Sequence, residues 1–216
     1  MCQLADAYFM SENLPFNTTG LHENEIQSFL ETFNQLKTAF QAQPDHDFNF
    51  IFNGFDLFNE YLDVNIGFAI DVSEGKGNSH ITFTQVQYQY FTGKGGRHQA
   101  AEYQSWGVAK LKKDFGHVLI KPESFLDKLQ EWIQPMELDF EDDPEFSRKF
   151  YVMTDEKEKA ALAMDSDFRK AILEISESDF LIEIRDSQLV IGNRKTVEPE
   201  SATVFAGFLN RISAVH

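Results

Sequence analysis

The chain has 216 residues, 42% hydrophobic and 25% charged, with 35 acidic against 19 basic side chains and a formal net charge of −16. That size and balance describe an ordinary globular protein with a real core, and the acidic excess excludes nucleic acid as a partner for the whole molecule, since affinity for phosphate backbones comes from Lys and Arg. A lone cysteine, Cys2, excludes an internal disulfide and any cysteine-cluster metal site.

The first 15 residues hold acids where a secretory signal needs a basic stretch, and no apolar run of 18 residues occurs anywhere. The sequence therefore predicts no transmembrane segment and a cytoplasmic location. Residues 1–20 read as a polar leader. Residues 21–43 then repeat apolar side chains at Ile26, Phe29, Leu30, Phe33, Leu36 and Phe40, the spacing of an amphipathic helix. Glu23 and Glu25 suit its first turn, where the helix dipole favours anions, and Pro44 ends it.

From residue 48 to 120 the pattern changes to short β-rich runs at 48–52, 62–72, 80–91, 100–111 and 118–120, an expected antiparallel meander. Two of its turns share a Gly-Lys-Gly tripeptide, at 75–77 and 93–95. Consecutive turns of a meander lie at opposite ends of the strand between them, so these two belong to different ends of the sheet. Within 80–91 the apolar phase slips from Ile81 and Phe83 to Val86, Tyr88 and Tyr90, which predicts a bulge near Thr84 and Gln85.

A second block opens at Pro122 with a helical pattern over 123–133, then an acidic connector over 137–145. Beyond it the patterns predict a strand at 150–153, helices at 155–164 and 167–175, a hairpin of 180–185 with 188–191, and a closing helix over 199–215. The fold class that results is α+β: an antiparallel β meander with packed helices, followed by a β-α-α-β-β-α C-terminal half. Residues 48–216 read as a single α+β domain, with a division into two subdomains near 134–146 as the alternative. The 22 phenylalanines are assigned mainly to the core, since each ring buries on the order of 150–250 Å².

The most localised signal is electrostatic. Residues 75–121 carry seven Lys and Arg against two acids, a formal +5, inside a chain that is otherwise strongly negative. Within that island the loop from Thr92 to His98 offers backbone amides with Lys94 and Arg97, the ingredients of an anion cradle, although its order is wrong for a P-loop. Lys110, Lys112 and Lys113 close the following strand. Lys94, Arg97, His98, Lys110, Lys112 and Lys113 are therefore the candidate binding residues, and an anionic protein or lipid head group is the expected partner. The competing readings are a solvated hairpin tip, a blunted sheet edge, and an internal pairing of the island with the acids of 137–145.

No catalytic residue is assigned. There is no Gly-x-Ser-x-Gly elbow, no Gly-x-Gly-x-x-Gly after a strand, and no His-x-His or His-Glu-x-x-His among the six histidines. The acids of 137–145 lack the glycine and final glutamate of an EF-hand loop. Cys2 as an N-terminal nucleophile has no support from its neighbours. No cofactor and no metal are expected; a zinc site would have to be assembled from distant strands.

The passages Tyr88 to His98 (YQYFTGKGGRH), Lys121 to Leu129 (KPESFLDKL), Leu138 to Phe140 (LDF) and Asp143 to Phe150 (DPEFSRKF), with the hairpin-to-helix passage over 190–199, resemble a family of uncharacterised bacterial conserved hypothetical proteins. The likeness runs from about Phe48 to the end and rests on short motifs. The family has no assigned activity, so the resemblance implies an α+β fold and transfers no catalytic residue. Many members look membrane-tethered through extra N-terminal segments, where this chain has the amphipathic helix. Taken together, the sequence predicts a non-enzymatic interaction module that uses the basic β surface of 75–121. The alternative is a small-molecule-binding protein or hydrolase with a pocket the sequence does not disclose.

Overall fold

The computed structural model describes residues 14–93, 95–123 and 136–215. The helical pattern at 123–133, Glu123 apart, lies outside these residues, as do Cys2 and Lys94. Among the described residues there are five helices and nine strands, and every strand pairing is antiparallel.

In chain order the elements are α1 (Glu23–Phe40), β1 (Gln43–Pro44), a 3₁₀ turn (Asp56–Phe58), β2 (Asp63–Asp71), β3 (Ser79–Phe91), β4 (Arg97–Lys110), β5 (His117–Pro122) and β6 (Met136–Glu137). There follow α2 (Pro144–Lys149), β7 (Phe150–Thr154), α3 (Lys157–Ala163), α4 (Ser166–Leu173), β8 (Leu181–Arg185), β9 (Gln188–Thr196) and α5 (Pro199–Val215). All nine strands join one sheet in the order β1-β2-β3-β4-β9-β8-β5-β7-β6. The expected meander is β2-β3-β4. Strand β5 does not continue it; the C-terminal hairpin β8-β9 is inserted between β4 and β5.

The sheet is covered on both faces. On one face the helices bury Phe68, Ile70, Ile81, Phe83, Ile182, Ile184 and Ile191 in one core cluster, in which Leu36 of α1 and Phe205 and Leu209 of α5 are fully buried. On the other face the segment 48–61 lays Phe52, Phe55, Leu57 and Phe58 across Trp106, Val108, Leu119, Met153, Leu181 and Val190. This overturns the expected strand at 48–52. Its alternating phenylalanines fit a pleated, half-buried surface, but the segment forms no ladder and serves as an aromatic cover instead.

The same two-sided burial corrects the expected bulge. Strand β3 pairs with β4 without interruption from Ser79↔Ala109 to Phe91↔Arg97. Ile81 and Phe83 face the helices, whereas Val86 is buried on the opposite side of the strand, so the slip in apolar phase records a change of covering layer. The register shift falls in the neighbour β2, between Ile66↔Thr84 and Phe68↔Phe83. Gly67 is the extra residue, and a Cβ there would meet the Tyr103 ring at 2.7 Å.

Helix α2, absent from the sequence reading, begins inside the acidic connector. Asp143 accepts a hydrogen bond from the Phe146 amide at its N-terminus and Pro144 occupies the first turn. The guanidinium of Arg169 binds Asp142 at 2.7 Å and Asp143 at 3.1 Å and lies over the Phe140 ring at 4.4 Å. Glu145 pairs with Lys149. The acids at 142, 143 and 145 thus find their cations on α2 and α4, outside the basic island.

Candidate functional site

Strand β2 pairs with β3 as far as Gln87, and β9 accompanies β4 as far as Gln104, with one further hydrogen bond from the Val197 amide to the Tyr103 carbonyl. Beyond these points residues 88–91 and 97–102 continue as a two-stranded ribbon. At about 3.3 Å per residue the ribbon extends about 13 Å past β2 on one side and about 20 Å past β9 on the other. The base is clamped where Tyr103 packs edge-on against Phe29 of α1, 5.1 Å between ring centres. The tip is closed by hydrogen bonds from Thr92 N to Gly96 O and from Gly95 N to Thr92 O, and Gly95 takes the positive φ of 77° that such a turn requires.

Because cross-strand partners share a face, the ribbon sets an exposed aromatic ring against a histidine or arginine side chain on each side. On one, Tyr90 stacks on His98 at 5.4 Å; on the other, Arg97 lies over the Phe91 ring at 5.9 Å. Tyr90 is 45% and Phe91 71% exposed, among the largest apolar exposures of the described residues. Farther down, Tyr88 hydrogen-bonds Glu102, whose negative charge foremost, together with burial, raises the phenol above its ordinary pKa.

The candidate residues of the basic island fall at two ends of the molecule. Arg97 and His98 sit at the ribbon tip, both exposed, with Lys94 in the same turn by sequence. Lys110 and Lys112 are exposed at the far end of β4 and form no ion pair among the described residues; Lys113 beside them binds Asp165 at 2.6 Å. Thirteen positions of β4 separate Arg97 from Lys110, roughly 40 Å at strand rise, so one compact ligand cannot span both groups. Lys121 lies on β5 against the Tyr151 ring.

The back face holds a constellation the sequence reading missed. Glu183 of β8, fully buried, accepts the backbone amides of Asp56 and Leu57 at 2.9 Å each, His117 Nε2 at 2.8 Å and Arg185 Nε at 3.0 Å. Arg185 also reaches Asp56 at 3.1 Å, and His117 Nε2 lies 3.6 Å from it. Asp56, His117 and Glu183 bring three metal-ligand atoms within 4.8 Å of one another. Both Glu183 oxygens are already engaged by donors, and a divalent ion would have to displace Arg185, so the residues fit an internal charge network better than a metal centre. Its structural effect is to staple the aromatic cover, helped by Arg194, which binds Glu60 at 2.9 Å and the Leu57 carbonyl at 3.0 Å.

A cavity of about 180 Å³ is lined by Phe29, Glu102, Tyr103 and Val197, and one of about 320 Å³ lies along β2 between Asp45 and Ala69. No helix among the described residues is long and apolar enough to cross a membrane.

No family model and no curated protein matches the chain, in keeping with its resemblance to a family without an assigned activity. Among solved structures it is similar to the mycobacterial trehalose monomycolate transport factor A, at 9% identity and a TM-score of 0.38 over 86% of this chain and 96% of the other. A likeness of that size carries no inference about this chain.

Proposed function

We propose that the protein is an interaction module that docks reversibly on an anionic lipid surface through the tip of the β3–β4 ribbon. The observation that carries this reading is the pairing of exposed aromatic rings, Tyr90 and Phe91, with Arg97 and His98 on both faces of a projecting ribbon. A convex tip with apolar rings and cations suits a flat, deformable interface, where aromatic side chains settle at head-group level and basic ones meet anionic lipid.

The acidic body does not defeat such contact. The ribbon reaches about 13 Å at strand rise, beyond the ~8 Å over which charges are felt at physiological salt. Burying the Phe91 ring contributes about 2 kcal/mol, half-burying Tyr90 about 1 kcal/mol, and the cations Lys94 and Arg97 about 1 kcal/mol each. A total near 5 kcal/mol corresponds to a dissociation constant on the order of 0.2 mM, a weak and reversible attachment.

The test is flotation with vesicles containing phosphatidylglycerol or phosphatidylcholine alone at 0.15 M salt. Wild type should float with the anionic vesicles only. Phe91→Ser should weaken this about 30-fold, the equivalent of about 2 kcal/mol, whereas Lys110→Glu with Lys112→Glu should leave it unchanged. Equal flotation of wild type and Phe91→Ser, or binding to soluble polyglutamate without binding to vesicles, refutes the lipid reading; the second result would point to an anionic protein.

A further inference from the structure

The outer edge of β2 is the strongest binding feature that the ribbon does not use. Strand β1 covers β2 only at Ile70 and Asp71, with one more hydrogen bond from the Asp45 amide to the Ala69 carbonyl. Among the described residues no strand pairs with β2 on that side from Asp63 to Phe68. The groove of about 320 Å³ follows this stretch. Its lining takes in all six consecutive residues from Val64 to Ala69. Side chains of a strand alternate between faces, so consecutive residues of both parities line one groove only where the backbone edge itself faces it.

The opposite wall is also backbone outside any ladder: Phe48, Asn49 and Phe50, from the aromatic cover. That wall is fixed. Phe48 stacks on the buried His80 ring at 3.8 Å, and His80 Nε2 binds Asp45 at 2.9 Å. The groove therefore lies between two held segments that no strand pairs on the groove side among the described residues; the Val64 amide turns to Asp63 Oδ1 at 3.1 Å and the Phe48 amide to the Asp45 carboxylate, and Phe48, Phe50, Val64 and Ile66 are half-buried beside the groove.

Charge defines the occupant. Between Lys37 and Lys76 the chain contains no Lys or Arg, yet it contains Asp45, Asp47, Asp56, Glu60, Asp63 and Asp71. Asp56 and Glu60 are taken by Arg185 and Arg194, while Asp47 and Asp63 are exposed next in the chain to the lining residues Phe48 and Val64, Asp63 with local hydrogen bonds from the Val64 amide and Asn65 and no cation among the described residues. A second copy would bring the same acidic edge against itself, and like charges directly opposite in a sheet are unfavourable.

We infer that the edge of β2 from Asp63 to Phe68 is a strand-addition site for an extended, basic peptide segment of a partner protein. The incoming strand would pair its backbone with β2, place alternate side chains toward Phe48 and Phe50, and direct its cations to Asp47 and Asp63. This site is independent of the ribbon tip, and either holds if the other fails.

The experiment follows backbone amides by NMR in the full chain, titrated with a capped hexapeptide of alternating lysine and valine. In the free protein the outward amides of residues 66–68 should exchange with solvent at unprotected rates. Added peptide should protect them and shift their resonances, while the ribbon amides of 88–102 stay unchanged. A peptide N-methylated at alternate positions, or one with glutamate for lysine, should bind at least about tenfold more weakly. Asp47→Lys with Asp63→Lys, both at exposed positions, should weaken the lysine peptide about tenfold while leaving the melting temperature in place. The proposal is overturned if the edge amides are already protected in the free protein, if the N-methylated peptide binds equally well, or if protection develops with protein concentration alone, which would make a second copy the occupant.

Discussion

Replacing Glu183 by Gln tests whether the internal charge network holds the back of the molecule together. The carboxylate is fully buried and accepts four donors, two of them backbone amides of the 3₁₀ turn and two from His117 and Arg185. A glutamine keeps the shape but offers one acceptor oxygen, so its amide group must face at least one of those donors. It also leaves Arg185 with Asp56 alone. Breaking a buried pair by removing one partner costs about 3–5 kcal/mol, against a total stability on the order of 5–15 kcal/mol for a domain. Urea denaturation should show the midpoint falling by that equivalent with little change in slope. Hydrogen exchange should show the amides of Asp56 and Leu57 opening well before those of β8. A loss under about 1 kcal/mol, the net value of one ordinary hydrogen bond, would mean that the aromatic packing alone seats the cover, and the reasoning would fail.

Two further outcomes follow from the same physics. Gly192 faces Trp106 so closely that a Cβ would lie 2.3 Å from the indole, so Gly192→Ala should destabilise by about 1–3 kcal/mol through overpacking, read by thermal melting with indole fluorescence reporting the displaced ring. Glu177 feels burial that raises its pKa, but hydrogen bonds from Ser201 and Lys195 outweigh this and hold it below the ordinary glutamate value. Its contribution is thus complete above the unfolded value of about 4.3 and drains as pH falls through the lower folded one. Glu177→Gln should flatten the acid limb of the stability profile, and a limb of unchanged steepness in the variant would contradict the assignment.

Local patterns carried the sequence reading well where one face of an element met one layer. The helical spacing at Phe29, Phe33 and Leu36 became α1, and the run through Phe205, Leu209 and Ile212 became α5, both with those side chains buried. Periodicity misled where both faces were covered. Phe48, Phe50 and Phe52 alternate as a strand does because they lie on a pleated surface, not because they belong to one. The chain position of β8-β9 gave no sign that this hairpin would separate β4 from β5, since apolar alternation specifies facing and not neighbours. The ribbon was half legible: Lys94, Arg97 and His98 stood out by charge, but its projection depends on where β2 and β9 stop. The network around Glu183 had one sign in the sequence, an acid in the buried phase of Leu-Ile-Glu-Ile-Arg, yet nothing tied it to Asp56 and His117 before folding.

The insertion of β8-β9 into the middle of the sheet also bears on how the molecule is made. Strands β4 and β5 wait for partners that are synthesised roughly 60 to 90 positions later, so the sheet's centre closes only after residue 196 has appeared. At ribosomal speeds of about 5–20 residues per second, that leaves several seconds in which β4 and β5 expose apolar edges. Such distant pairings also slow the search for the native state. A nascent chain of this design is a natural client for chaperones, and premature termination between β7 and β8 would yield two unjoined half-sheets.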